Sequence, residues 1–130
     1  MKLHILMVDD EAVVRELVSR YLRRHDCEVT TATTSAEAYR FVNESQVDLV
    51  VLDVMLGEDD GIKLLGAIKK VRPKLPVIML TSIKSDKQLL QEAMKKGASA
   101  FLEKSIPFET LLMEIRRVLH EQREKEKSSS

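Results

Sequence analysis

Short apolar runs alternate strictly with amphipathic stretches along almost the whole chain, and this order limits the folds open to it. Each run is a few residues long and rich in branched apolar side chains, which is typical of strands buried on both faces. In the stretches between the runs, apolar residues recur at the three- and four-residue spacing of a helix with one buried face. The predicted strands are 3–8, 28–32, 49–52, 77–80 and 100–103, and the predicted helices are 12–24, 34–42, 61–71, 85–96 and a last one that begins near Pro107.

Five strands and five helices in alternation favour one architecture. A strand, a helix and a second strand in succession form a parallel pair joined by a right-handed crossover, and the helices then cover both faces of the sheet. The predicted fold class is therefore α/β, a doubly wound five-stranded parallel sheet with five helices. A length of 130 residues suits one such core and not two.

Local signals refine the helices. Thr34 and Glu37 have the spacing of a capping box, as do Ser85 and Gln88, and Gly97 is suited to end the fourth helix. The first and last helices each carry five apolar residues that are expected to face the core. These residues are Val13, Val14, Leu17, Val18 and Tyr21 in the first helix, and Leu111, Leu112, Ile115, Val118 and Leu119 in the last.

The apolar pattern stops after Leu119. Residues 121–127 read Glu-Gln-Arg-Glu-Lys-Glu-Lys, and three serines follow. The domain is therefore predicted to span 1–120, with 121–130 a charged helix end and serine tail acting as a linker. Because no apolar heptad continues into this segment, it is not expected to form a stable coiled coil by itself.

Composition narrows the classes of function. Lys and Arg total 21, and so do Asp and Glu, so no net charge draws the chain to nucleic acid or to an anionic membrane. The single cysteine, Cys27, excludes an internal disulfide and fits a reducing compartment. No apolar run approaches the roughly 20 residues of a membrane span, and the first residues lack the cleavage site of a signal peptide. These features predict a soluble cytoplasmic domain.

Five polar residues stand at the carboxyl ends of four predicted strands. Asp9 and Asp10 follow the first strand, Asp53 the third, Thr81 the fourth and Lys104 the fifth. Ligands of open α/β sheets bind beyond these strand ends, so the five side chains are expected to converge. Taken singly, each residue has a plain structural explanation, such as a helix N-cap or a solvated lysine. Their joint placement indicates a functional site.

The chemistry of these residues points to phosphoryl transfer. Three carboxylates in one crevice repel one another unless protons or a cation intervene. Mg²⁺ suits them because it is a hard cation that binds a few carboxylates together with water and phosphate oxygens. Lys104 adds a positive charge and Thr81 a hydroxyl group. Since transfer depends on positioning and charge neutralisation, Asp53 is predicted to be a nucleophile that carries a phosphoryl group.

Five segments, taken together, carry a family resemblance. They are Val8-Asp9-Asp10-Glu11, 48–53, Asp60-Gly61, 76–82 and 97–104. On these segments the chain, from Lys2 to about Leu119, resembles the receiver domain of two-component response regulators. The resemblance implies a flavodoxin-like sheet of strand order 2-1-3-4-5. It also implies a phosphorylation-dependent signalling switch that supports its own phosphoryl transfer and autodephosphorylation, not an enzyme acting on other substrates.

The resemblance assigns roles residue by residue. Asp53 would be the phosphoacceptor, and Asp9 and Asp10 would hold Mg²⁺, Asp10 the more directly. Asp53 and the backbone carbonyl of Met55 would be further metal ligands. Thr81 would bond a phosphoryl oxygen after the transfer.

Two further residues receive roles in the same way. Lys104 would pair with the phosphoryl group, or with Asp53 before the transfer. Phe101 stands at the position of an aromatic rotamer switch and would turn inward as Thr81 shifts. A plain core aromatic is the other interpretation of Phe101.

The chain departs from the family pattern at three places. Leu56 and Gly57 stand where Met and Pro are common, and Gly57 is expected to loosen that loop. Ser82 replaces a small apolar residue. The insert Ser105-Ile106 separates a lysine and a proline that are adjacent in the family, which leaves open whether the peptide bond before that proline is cis.

The resemblance also implies partners. The phosphoryl group would come from a sensor histidine kinase or a small phosphodonor, and the target would be an output domain or effector protein. Phosphorylation would remodel the face formed by the fourth helix, the fifth strand and the last helix. The chain is predicted to bind neither nucleic acid nor membrane directly, and to be a monomer or a weak, phosphorylation-dependent dimer.

Two other classes of function remain open. A phosphatase that passes through an aspartyl phosphate needs a second carboxylate two residues after its nucleophile, where this chain has Met55. A pure interaction module would keep the acidic residues for structure alone. The complete set of polar strand ends argues against the module, whereas Gly57 and the insert keep that hypothesis open. Mg²⁺-dependent uptake of phosphoryl from acetyl phosphate distinguishes the three classes.

Overall fold

The computed structural model describes residues 2–82 and 87–128, and within these ranges seven strands and five helices follow one another. The strands are β1 (Leu3–Val8), β2 (Cys27–Ala32), β3 (Leu49–Asp53), β4 (Met55–Leu56), β5 (Asp59–Asp60), β6 (Val77–Thr81) and β7 (Ala100–Glu103). The helices are α1 (Ala12–Arg23), α2 (Ser35–Glu44), α3 (Gly61–Val71), α4 (Lys87–Lys95) and α5 (Phe108–Ser128).

Five of the strands form one parallel sheet in the order β2-β1-β3-β6-β7. This arrangement confirms the predicted order 2-1-3-4-5, since β4 and β5 pair only with each other. The register sets Val8 opposite Leu52 and Asp53 opposite Leu80. The carboxyl ends of β1, β3 and β6 therefore meet at one edge of the sheet.

The strands bury alternate residues on opposite faces, as a doubly wound sheet requires. Leu6 and Leu52 belong to an apolar cluster with residues of α2, α3 and α4, whereas Ile5 and Val51 belong to a second cluster with residues of α1 and α5. All residues of β3 and β6 are buried. The two faces explain why these strands read as continuous apolar runs in the sequence.

The residues predicted to face the core agree with the structure in α5 but only in part in α1. All five residues expected to be buried in α5 are buried. In α1 the prediction is wrong for Val13 and Leu17, which are 68% and 44% exposed. The helix packs on the sheet through Val18 and Leu22 instead, so Val13 and Leu17 lie on its flank. There they line a 180 Å³ apolar cavity with Ile106 and other residues.

The capping predictions can be compared with the structure where it describes them. The Thr34 hydroxyl accepts a hydrogen bond from the Glu37 N–H at 3.2 Å, as expected for a cap of α2. The Glu37 carboxylate, however, accepts from the N–H and hydroxyl of Thr33 and not from the capping residue itself. Gly97 follows α4 with φ +106°, which suits a glycine stop. Ser85, the predicted cap of α4, lies outside the described residues.

The hairpin β4–β5 was not predicted. Its strands have two residues each, too few to show an alternating pattern. Gly57 opens the two-residue loop between them with φ +61°, a conformation that glycine adopts without steric cost and that suits such hairpins. The residues that follow Val54 therefore form a paired hairpin around Gly57. In the described part of the chain, no helix is both long and apolar enough to cross a membrane.

Candidate functional site

Three carboxylates meet at the carboxyl edge of the sheet. Asp9 and Asp10 directly follow β1, and Asp53 ends the neighbouring β3. One oxygen from each of the three carboxylates lies within 4.8 Å of the other two. Asp9 is 0% exposed and Asp53 is 4% exposed, whereas Asp10 faces solvent. The sheet thus brings together the three predicted metal-binding aspartates.

Lys104 reaches the same place from the end of β7. Its Nζ lies 2.8 Å from Asp53 Oδ2, 3.0 Å from Asp9 Oδ2 and 2.7 Å from Glu11 Oε1. The Lys104 side chain is only 9% exposed. The backbone N–H of Lys104 donates to the carbonyl oxygen of Thr81 at 2.7 Å, which ties the end of β7 to β6. The ammonium is therefore held over the carboxylates by its own strand.

The pKa of both charged partners is shifted by this environment. Burial raises the pKa of Asp53 to about 6, the hydrogen bond from Lys104 opposes that rise, and the charge of Asp9 adds to it. Burial disfavours the ammonium of Lys104, but its contacts with Asp53, Glu11 and Asp9 outweigh burial, so the pKa of Lys104 is raised. The surroundings therefore favour the charged form of Lys104 and disfavour the charged form of Asp53.

The carboxylate oxygens of Asp9 and Asp53 have different partners. Asp9 Oδ1 accepts from the Glu11 N–H at 2.9 Å, and Asp53 Oδ1 accepts from the Met55 N–H at 3.2 Å. Asp9 Oδ2 is buried, and its recorded partner among the described residues is the ammonium of Lys104, 3.0 Å away. Three carboxylates this close together, with one ammonium to offset them, fit a hard divalent cation. The donor set therefore suits Mg²⁺, and the Met55 backbone lies next to it.

Thr81 lies on β6, the strand next to that of Asp53, and Phe101 lies one strand further along, on β7. Thr81 is buried at the end of β6, one residue beyond Leu80, the partner of Asp53. Phe101 is half-buried on β7 opposite Met79 and packs against the apolar cluster on the α2–α4 side of the sheet. These positions agree with a core aromatic beside the site. A rotamer switch at Phe101 stays a prediction.

Gly61 matters more than the sequence indicated. Its N–H donates to the Val54 carbonyl at 2.8 Å, and a Cβ at this position would overlap the backbone carbonyl oxygen of Asp53. Asp60 caps α3, since its Oδ1 accepts from the N–H groups of Ile62 and Lys63. Glycine thus lets α3 begin directly against the backbone of Asp53 and Val54 at the end of β3. An aspartate followed by glycine at the start of a predicted helix is the sequence signal for this cap, but in the sequence the pair Asp60-Gly61 served only as part of the family resemblance.

The contact of Glu11 with Lys104 was not predicted from the sequence, which placed Glu11 in a family segment but indicated no role for it. It stands between the aspartates and α1 and makes the shortest of the Lys104 ion pairs. The insert Ser105-Ile106 is accommodated just beyond Lys104, where the Ile106 N–H donates to the Glu103 carbonyl at 3.2 Å. The described residues contain no cis peptide bond, so the bond before Pro107 is trans.

Comparison with known proteins places this arrangement in a family. The sequence model of the response regulator receiver domain matches residues 5–116. This chain belongs to the response regulator receiver domain family. Receiver domains are signalling domains of two-component systems, and the family uses Mg²⁺ at an acidic pocket. The match confirms the resemblance to receiver domains that the sequence motifs indicated.

Curated relatives of this receiver domain are transcriptional regulators. The transcriptional regulatory protein GlrR of Escherichia coli is 36% identical over 112 residues, a stretch that is 86% of this chain and 25% of GlrR. The transcriptional regulator NtrC of Rhizobium meliloti is 32% identical over 117 residues, 90% of this chain and 24% of NtrC. The receiver domain thus spans about a quarter of the length of these relatives.

Solved structures agree with the fold. NtrX from Brucella abortus superposes with a TM-score of 0.92 at 34% identity, covering 99% of this receiver domain and 30% of the NtrX chain. A CheY-like receiver domain from Methanospirillum hungatei superposes with a TM-score of 0.90 at 27% identity, covering 96% of this chain and 99% of the other.

Proposed function

We propose that this receiver domain accepts a phosphoryl group on Asp53 and thereby acts as a switch. The observation that carries the proposal is the buried carboxylate of Asp53, held by Lys104 at 2.8 Å within a cluster of three aspartates. A carboxylate in this setting is positioned as a nucleophile, and its neighbours can neutralise the charge of a phosphoryl group.

Asp9, Asp10, Asp53 and the backbone carbonyl of Met55 would hold Mg²⁺. When bound, the cation supplies positive charge that offsets the carboxylates and the phosphoryl oxygens. The approach of one oxygen from each of Asp9, Asp10 and Asp53 to within 4.8 Å supports this assignment. Asp10 is the exposed member of the cluster, so it is the natural direct ligand for a cation that keeps several waters.

The transfer itself would be a displacement at phosphorus. An oxygen of Asp53 bonds to phosphorus while the bond to the donor breaks, and the donor leaves with the electron pair. The donor is a phosphohistidine of a sensor kinase, which leaves as imidazole, or acetyl phosphate, which leaves as acetate. Lys104 and the Thr81 hydroxyl would stabilise the phosphoryl oxygens. In autodephosphorylation, water attacks phosphorus, and inorganic phosphate and the free Asp53 carboxylate result.

The output would pass through the face formed by α4, β7 and α5. Movement of Thr81 toward the phosphoryl group would let Phe101 turn inward and so change that face. The longer relatives are transcriptional regulators, which supports an output domain or effector protein as the target. We also propose that the receiver domain comprises residues 1–120 and that residues 121–130 form a linker. The protein would be cytoplasmic, and its receiver domain would not itself bind nucleic acid.

Acetyl phosphate and Mg²⁺ test the proposal directly. Intact-mass spectrometry of the wild-type domain should show one added phosphoryl group, and Asp53→Asn should show none. Asp26→Asn is a matched control, because Asp26 lies away from the site with φ +67°, a conformation that asparagine tolerates. This variant should be labelled like the wild type. Labelling of Asp53→Asn to the same extent would refute Asp53 as the phosphoacceptor.

A further inference from the structure

We infer that Glu11 is a positioning residue that restrains the ammonium of Lys104 and thereby slows the phosphorylation of Asp53. The inference rests on the proposed function, because it concerns the regulation of the same site. It starts from the contacts of Lys104. Among the described residues, the ammonium pairs with three carboxylates, and the contact with Glu11 Oε1, at 2.7 Å, is the shortest.

Among the residues that the structure describes, Lys104 is the only side-chain partner recorded for the carboxylate of Glu11. Glu11 occupies the N-cap position of α1, yet within the described residues its side chain makes no capping hydrogen bond. Glutamate is a poor N-cap compared with serine, aspartate or asparagine. Its backbone is used locally, since its N–H donates to Asp9 Oδ1 and its carbonyl accepts from the Arg15 N–H. The carboxylate is thus left to reach Lys104.

Glu11 also differs in position from the aspartates. Its side chain is 55% exposed, whereas those of Asp9 and Asp53 are 0% and 5% exposed. It is not part of the group of Asp9, Asp10 and Asp53 that could hold a metal ion. Glu11 therefore binds the ammonium from the solvent side of the pocket, which is the side from which a phosphodonor must arrive.

The consequence follows from the limited number of donors on an ammonium. Lys104 has three N–H bonds. The hydrogen bonds to Glu11 and Asp53 use two of them, and Asp9 Oδ2, 3.0 Å from Nζ, occupies the third side of the ammonium. A phosphoryl group on Asp53 needs the same ammonium, so it must compete with Glu11. Removing the charge of Glu11 while keeping its shape should free Lys104 for the phosphoryl group and accelerate labelling.

The test measures the rate of Asp53 labelling by acetyl phosphate at saturating Mg²⁺, followed by intact mass. Glu11→Gln should accelerate labelling about threefold, the size expected for a half-exposed ion pair. Glu28→Gln is the matched control, because Glu28 is exposed at the opposite edge of the sheet, in register with His4. It removes the same charge and should label at the wild-type rate.

The same substitution in a Lys104→Met background separates positioning from simple repulsion of the donor. Methionine retains the apolar stem without the charge, and Lys104→Ala is measured in parallel in case one variant folds poorly. If Glu11 acts through Lys104, Glu11→Gln should have no effect in these backgrounds. An unchanged rate in Glu11→Gln alone, or an equal acceleration without Lys104, would overturn the inference. Failure of the wild type to label at all would instead refute the proposed function on which it rests.

Discussion

The carboxyl group of Asp53 lies almost buried between the ammonium of Lys104 and the carboxylate of Asp9. Burial is the largest cause of its raised pKa, which is about 6 against an ordinary value of 3.8. The folded, metal-free domain therefore binds this proton more tightly than the unfolded chain does. Stability from this group is complete below the unfolded pKa and is lost as the pH rises through about 6.

Asp53→Asn should therefore stabilise the metal-free domain at pH near 7.5 but not at pH near 4. The amide removes a buried charge, and the expected gain in unfolding free energy at the higher pH is on the order of 1–3 kcal/mol. Urea denaturation of both proteins in a chelator at the two pH values measures it. Other titrating groups largely cancel in the difference. If the two proteins differed in unfolding free energy by the same amount at both pH values, the pKa of Asp53 would not be raised by folding.

Gly61→Ala should destabilise the domain. The added Cβ would meet the backbone carbonyl of Asp53 and that of Val54, neither of which can move without shifting the loop. Such overpacking costs about 1–3 kcal/mol. Thermal or urea unfolding measures the loss, and phosphorylation of Asp53 should slow with it.

Gly66→Ala is the matched control on the same helix. Its Cβ would meet Lys96 Cδ at 3.8 Å, an ordinary contact. Alanine is the better helix former, so this variant should gain about 0.5–1 kcal/mol. Equal losses in the two variants would mean that α3 itself requires glycine, and that the contact with the backbone of Asp53 and Val54 is not the cause.

At the scale of elements, α5 extends two turns beyond its last buried residue, Leu119. Residues 121–128 are almost entirely exposed, and their ion pairs, such as Arg117–Glu121 and Lys127–Glu124, lie at the surface. Surface pairs of this kind contribute about 0–1 kcal/mol each. The end of α5 therefore adds little to the stability of the sheet.

A chain ending at His120 should keep its unfolding free energy within about 1 kcal/mol of the full chain and should be phosphorylated equally well. A chain ending at Arg117 also loses Val118 and Leu119, which are buried against the sheet. It should be destabilised by about 3 kcal/mol or more, from the apolar burial of two side chains. Urea unfolding of both truncations tests the domain boundary, and a large loss in the longer one would move it.

At the scale of the whole molecule, the acidic pocket is expected to link metal binding to stability. Millimolar Mg²⁺ should raise the melting temperature, because a ligand that binds only the folded state stabilises it by RT ln(1 + [L]/Kd). Asp10→Ala should abolish the rise, and it should still fold, since Asp10 is exposed. Asp26→Asn should respond like the wild type. A melting curve that ignores Mg²⁺ would show that the carboxylates do not form one cation site.

The domain should be a monomer without phosphorylation and at most a weak dimer with it. On α4 and α5 the exposed large apolar residues among those described are Leu90, Met94 and Met113, at 39%, 45% and 68%, and each has charged residues near it in the sequence. So small an apolar surface does not support a tight interface. Sedimentation with and without beryllofluoride measures the mass of the particle. A tight dimer without beryllofluoride would contradict the prediction.

The sequence by itself determined the fold and the candidate site in outline. Strands buried on both faces must be apolar throughout, so their ends are visible wherever a polar residue follows. For the same reason Asp9, Asp53, Thr81 and Lys104 could be placed at one edge of a sheet before any distance was known. The five apolar residues of α5 were equally predictable, because a helix buried on one face repeats its pattern locally.

The tertiary structure decided what depends on two distant parts of the chain. The contact of Glu11 with Lys104 joins residues 93 positions apart, and no local pattern encodes it. The exposure of Val13 and Leu17 depends on how α1 lies against its neighbours, and the glycine at 61 depends on the approach of one backbone to another. Periodicity records which residues are apolar. Only packing determines which surface each of them meets, because that requires the positions of all the elements at once.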